Sequence, residues 1–283
     1  MILGLDAMRT RFELVLLGAE PAFLSAAGHE ALEEIRAAEA QLSIFRRDSW
    51  LSRLNADAAI GAQSRTAVLV PAQLYALLEC CQQVNRATQG AFDPSVGPLL
   101  DAHGLRDEAP SWELAEESTV GFAGVELLGE RRVRFQHPNL RLDLGGIGKG
   151  WALDRAAEVL RDAGVPTALL HGGTSTVLSF GAPPLPEPAS RHPASRHPAS
   201  QAGWQIGIEP FCCVNLRECA LSISATRPTS RKSRGHVIDP GTQQPLRSKQ
   251  TAAVCAPTAT LADAWSTALL VQSAHPFSWK YIP

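Results

Sequence analysis

The sequence predicts an α+β fold, one unit of two interlocked lobes, and three observations carry the prediction. At 283 residues the chain suits one large domain or two intimately packed lobes, not a multidomain array. Its apolar residues follow two periods, helical spacing in some stretches and strand-like alternation in others. Its middle reads strand, glycine loop, helix, strand. Composition agrees: 45% hydrophobic and 19% charged residues are ordinary for a globular protein, and a net charge of -2 argues against nucleic-acid or membrane-surface binding.

The elements follow in order. Residues 11–17 are apolar and β-compatible, and residues 22–42 place Leu32, Ile35, Ala38 and Leu42 at helical spacing. A second helix starts at Pro71, favourable in a first turn, and runs through Leu74, Leu77, Leu78 and Val84 to a stop at Gly90. After the loop 90–97, strand-like runs at 120–128 and 133–135 lead to 140–144, where four glycines break the chain. A helix over 151–163 stops at Gly164, and a strand over 167–170 ends near Gly172 and Gly173. Strands are expected at 204–208 and 251–255, an Asp-Pro-Gly turn at Asp239, and a last helix over 261–271.

The proline-rich segment 183–202 contains a tandem ASRHP repeat. It has too few apolar side chains to offset its ordering entropy and reads as a mobile surface loop; metal capture by His192 and His197 is the weaker alternative. The six cysteines form no C-x-x-C pattern and read as packing or incidental thiols. No apolar run approaches the roughly 20 residues that cross a bilayer, and the first residues lack a secretory signal, so a cytoplasmic location is expected.

Four segments carry candidate chemistry. Residues 142–150, LDLGGIGKG, lead into a helix containing Asp154; glycines admit a ligand to the backbone, a helix N-terminus favours phosphate, and Lys149 adds positive charge. A purely structural glycine turn is an equal reading of this segment alone. Asp263 and Thr267 stand four apart on one helix face and offer hard oxygens of the kind magnesium takes. Alone, they read more simply as a first-turn acid and a threonine bonded back to its helix. Residues 90–97, GAFDPSVG, and 236–240, HVIDP, each fit a proline turn, with His236 a candidate base or phosphate partner.

Their joint occurrence and order, with 42–45 (LSIF), Ser49, Ser52 and Asn55, resembles the ApbE family of FAD:protein FMN transferases over residues 8–271. The resemblance implies an ApbE-like (T-fold-like) two-lobed α+β unit spanning 1–283, with FAD in a cleft between the glycine loop and the Asp263 helix. It implies that Met8, Phe45, Ala91, Phe92 and Asp93 contact FAD, and that Asp143, Lys149 and Ile238 line the same cleft. Magnesium would be held by Gly146, through its backbone carbonyl, with Asp263 and Thr267, while His236 lies near the reacting phosphates. The implied reaction moves FMN from FAD to a serine or threonine hydroxyl of an acceptor protein and releases AMP. The alternatives are FAD hydrolysis to FMN and AMP, and a degenerate homologue that only holds FAD.

The chain departs from the family pattern at four places. Arg9, Ala225 and Gln243 replace glycines, in Ala225's case within Ile223-Ser224-Ala225, and Thr174 replaces an aspartate. Side chains where glycine is expected imply strained turns or a narrower cleft. Residues 273–283 look unrelated to the family and read as a divergent tail.

Overall fold

The computed structural model describes residues 1–106, 108–112, 119–183, 203–226 and 237–283. The expected mobile loop at 183–202 and the candidate His236 lie almost wholly and wholly, respectively, outside them.

The chain opens with a hairpin, β1 (Ile2–Ala7) and β2 (Thr10–Leu17), joined by a tight turn at Met8 and Arg9. Helix α1 (Pro21–Leu42) follows with proline in its first turn, burying Leu24, Ala27, Ala31, Ile35 and Ala38 at spacings of three and four. Helix α2 (Trp50–Ser64) is capped by the Ser49 side chain, which accepts from Ser52 N–H at 2.9 Å. Then come β3 (Val68–Leu69), α3 (Ala72–Ala87) and the short α4 (Gly97–Ala102). A 3-10 turn at Phe122–Gly124 leads into β4 (Val125–Leu127) and β5 (Arg132–Phe135).

The glycine loop gives way to α5 (Gly148–Ala163), followed by β6 (Thr167–Gly172), β7 (Thr176–Phe180), β8 (Trp204–Ile208), β9 (Cys212–Leu216) and β10 (Cys219–Thr226). A small ribbon of β11 (Ile238–Asp239) and β12 (Gln244–Pro245) precedes β13 (Gln250–Ala256), α6 (Ala259–Gln272) and β14 (Phe277–Tyr281).

Seven strands form the main sheet in the order β1-β2-β6-β7-β10-β13-β14. Every neighbouring pair is antiparallel except β13 and β14, which run parallel across the α6 crossover. One face carries Phe12, Leu14, Leu170, Leu178 and Ala220 into the main core with α1, α5 and α6. The other carries Leu169, Val177, Leu221, Ala253 and Cys255 under the β8–β9 hairpin, which contributes Ile208 and Leu216. A three-stranded sheet, β3-β5-β4, packs with α2 and α3.

Three expectations differ from the structure. The run 120–128 is strand only at β4, with a 3-10 turn at Phe122–Gly124 before it. Residues 140–144 form no strand, because the backbone of Leu142 bonds to a side chain instead of a neighbouring strand. The segment read as a tail supplies β14, whose residues 277–281 pair with 251–255 at the sheet edge. No described helix is long and apolar enough to cross a membrane.

Candidate functional site

The site is assembled where α5 and α6 meet. A Cβ at Gly150 would stand 2.1 Å from the Ala259 carbonyl oxygen, so only glycine lets the two helix starts come this close. Asp154, one turn further along α5, accepts from Ala259 N–H and Thr260 N–H, both at 2.8 Å, and thereby caps α6 from outside. Burial raises the Asp154 carboxyl above its ordinary range, and the Thr260 hydroxyl and the two N–H donors pull it back.

This docking puts Asp263 beneath the glycine loop. The residue is 3% exposed, with Oδ2 accepting from Gly150 N–H at 3.1 Å. Oδ1 accepts from the Ser222 hydroxyl at 3.3 Å and the Thr176 hydroxyl at 3.5 Å, with Lys149 Nζ 3.7 Å away. Thr267 donates to the Asp263 carbonyl at 3.3 Å, the back-bond that the simpler reading expected. That bond uses the only hydroxyl proton and leaves lone pairs on Oγ1 for another partner. A Cβ at Gly146 would lie 3.4 Å from Thr267 Oγ1 and 3.5 Å from the Phe92 ring, so glycine keeps the loop against both. Gly146, Lys149, Asp263 and Thr267 are thus brought together. The glycine loop and α6 touch at Gly150, and the loop is open to solvent at Gly145.

Asp143 sits at the root of the loop. Oδ1 accepts from Gly145 N–H at 2.8 Å, Oδ2 from the Arg106 guanidinium, and its own N–H bonds to Pro94 O at 2.7 Å. Arg106 also pairs with Asp101 at 3.3 Å and lies over the Trp112 ring. Burial, more than any other influence, raises the Asp101 carboxyl, against the pull of Arg106. In the 90–97 loop, Asp93 accepts from Ser95 N–H at 2.8 Å and from Phe122 N–H at 3.0 Å, an Asx-type turn that engages both its oxygens. Phe92 is buried with its ring against Gly146, while Ala91 is half-buried.

Phe45 is half-buried against the main core between α1 and α2. Met8 occupies the first hairpin turn, its N–H bonded to Glu39 at 2.6 Å. Ile238 is buried in the β11–β12 ribbon, which His103 joins through Nε2 to Gln243 O at 2.9 Å. Asn55 serves the fold: its side-chain amide both accepts from Leu142 N–H at 2.8 Å and donates to Leu142 O at 2.9 Å. The clamp fixes the chain immediately before the glycine loop.

A family model described as the ApbE family matches residues 8–277. The chain belongs to the ApbE family. A Treponema pallidum protein named FAD:protein FMN transferase is 28% identical over 272 residues, covering 86% of this chain and 71% of the relative. A Rhodobacter capsulatus protein of the same name is 29% identical over 241 residues, covering 78% of this chain but only 42% of the relative. The ApbE protein of Thermotoga maritima has the same fold, with a TM-score of 0.77 at 24% identity over 96% of this chain and 86% of that one.

Within this ApbE member, the donor chemistry fits a hard cation. Among the described residues no group of three or more His, Cys, Asp or Glu side chains could hold a metal. The side-chain oxygens beside the glycine loop, the Asp263 carboxylate and the Thr267 hydroxyl, are hard donors of the kind magnesium takes, with no thiolate or imidazole among them to suit zinc. Sequence reasoning overlooked the residues around Asp263. Thr176, Ser222 and Ser266 are each 0% exposed, and Ser224 lies on the same face of β10 as Ser222. Their signal was a run of hydroxyls, Ser222 and Ser224, alternating with apolar residues in a strand that faces a core.

Proposed function

We propose that the chain is a magnesium-dependent FAD:protein FMN transferase. The observation that carries this reading is the buried Asp263 carboxylate, set beside Thr267, Gly146 and Lys149 at the start of α5, in a chain whose relatives bear that name. Asp263, Thr267 and the Gly146 carbonyl would hold magnesium, which neutralises charge developing on phosphoryl oxygens. Lys149 and the α5 N-terminus add positive potential at the same place.

In this reading Met8, Phe45, Ala91, Phe92, Asp93, Asp143 and Ile238 shape the FAD site. Phe92 does so by backing Gly146, and Asp93 and Asp143 by fixing the loops. The oxygen of an acceptor serine or threonine bonds to the FMN phosphorus, the phosphorus–oxygen bond to AMP breaks, and the hydroxyl proton passes to a base, the role given to His236.

The test incubates the chain with FAD, Mg2+ and an acceptor peptide bearing a threonine, followed by mass spectrometry. Flavinylated peptide and AMP are expected, and Asp263→Ala abolishes both. Free FMN and AMP without flavinylated peptide would establish hydrolysis instead. Intact FAD throughout would leave a binding protein and overturn the transferase reading.

A further inference from the structure

Asp263 and Asp143 are held in opposite ways. Asp143 is bound directly to a cation, the Arg106 guanidinium, which it shares with Asp101. Asp263 is held chiefly by neutral donors: Gly150 N–H on Oδ2, and the Ser222 and Thr176 hydroxyls on Oδ1. Its nearby cation, Lys149, stands back at 3.7 Å on a partly exposed side chain. Neutral donors fix a carboxylate's direction and leave its negative charge for another partner.

The two hydroxyls come from opposite positions on adjacent strands, Thr176 of β7 facing Ser222 of β10, with their oxygens 3.1 Å apart. Both are fully buried, on a face otherwise filled by residues such as Leu178, Phe180 and Ala220. A hydroxyl in a strand can bond its own backbone; these two reach off the sheet to a carboxylate on a helix. Behind them Ser266 stands 3.2 Å from the Ser222 hydroxyl and 3.0 Å from the Asp263 main-chain carbonyl, its single proton going to one or the other, and Ser224 meets Ser266 at 2.8 Å.

We infer that Thr176 and Ser222 are positioning residues whose hydroxyls aim the Asp263 carboxylate at a divalent cation. The inference rests on the metal role given to Asp263 above and adds the groups that set that residue's direction. Partners that orient a metal ligand typically contribute about 10- to 100-fold to metal affinity. The hydroxyl contacts here are long, which places each at about the lower end of that range.

The experiment measures binding of Mn2+ alone to the full chain, by the electron paramagnetic resonance of the free ion, with no FAD present. Thr176→Val keeps the side-chain shape without the hydroxyl, and Ser222→Ala removes the second donor. Each is expected to raise the Mn2+ dissociation constant about tenfold, while Thr176→Ser, which restores a hydroxyl, returns it to near the wild-type value. A merely structural role for Thr176 would give no such rescue. Should Ser222→Ala fail to fold, the Thr176→Val and Thr176→Ser pair decides the matter alone.

Asp263→Ala separates the positioning role from the metal assignment beneath it. Mn2+ binding that is lost in Asp263→Ala but unchanged in folded Thr176→Val overturns the positioning role and spares the metal assignment. Wild-type binding indifferent to Asp263→Ala, or absent altogether, overturns both.

Discussion

Arg9 and Gln243 both occupy left-handed backbone, with φ of 61° and 56°. Met8, beside Arg9, has φ of 49°, which makes this two-residue hairpin a turn of the kind that favours glycine and asparagine. These are two of the sites at which the resemblance implies glycine, and the backbone there has a conformation that glycine adopts freely. A side chain in this region costs about 1–2 kcal/mol, part of which glycine forfeits through the freedom of its unfolded chain. Arg9→Gly and Gln243→Gly should therefore each stabilise the fold by roughly 0.5 kcal/mol. Differential scanning calorimetry checks this as a rise in Tm of about 1–2 °C for each change.

At the scale of elements, the α5–α6 contact governs the site. Gly150→Ala would drive a Cβ into the Ala259 carbonyl, whereas Gly148→Ala meets only the end of Leu42 at 3.5 Å. The first change is expected to cost about 3 kcal/mol by urea unfolding, and the second well under half of that. Asp154, which caps α6, adds a pH dependence. Its carboxyl is raised from 3.8, chiefly by burial, so above pH 3.8 the folded chain holds this proton more tightly than the unfolded chain. The stability it contributes is then greatest at low pH and is lost as pH rises through the raised value. Urea titrations should show that loss in the wild type and a flatter profile in Asp154→Asn.

Helices α1, α3, α5 and α6 were legible, as were strands β2, β6, β8 and β13. Stripes of leucine and isoleucine marked α1 and α3, and Gly164 marked the end of α5. Strand β10 was not legible, because its inward positions hold Ser222 and Ser224 to meet the Asp263 helix where apolar side chains would ordinarily stand. Helix α2 hid for a similar reason: Ser52 and Asn55 are buried in it as hydrogen-bonding groups, which breaks its apolar stripe.

At the scale of the molecule, the order of motifs was more informative than any one of them. The glycine loop and the Asp263–Thr267 pair lie over a hundred positions apart, and the structure joins them through Gly150 N–H. What no spacing rule could supply was the surrounding set of neutral donors, because Thr176, Ser222 and Ser266 come from three separate elements. Long-range side-chain bonds of this sort also give the fold its coherence. Asn55 reaches Leu142, 87 positions away, from helix α2 to the root of the loop. Leu142 belongs to no helix or strand, and an irregular segment would ordinarily trade its amide hydrogen with solvent within moments. Here the Leu142 N–H is fully buried on Asn55 Oδ1, so its deuterium uptake should be as slow as that of Leu170 in the central sheet, opening only with the surrounding fold. In Asn55→Ala, mass spectrometry should find that clock running fast at the threshold of the glycine loop while the Leu170 region keeps its time.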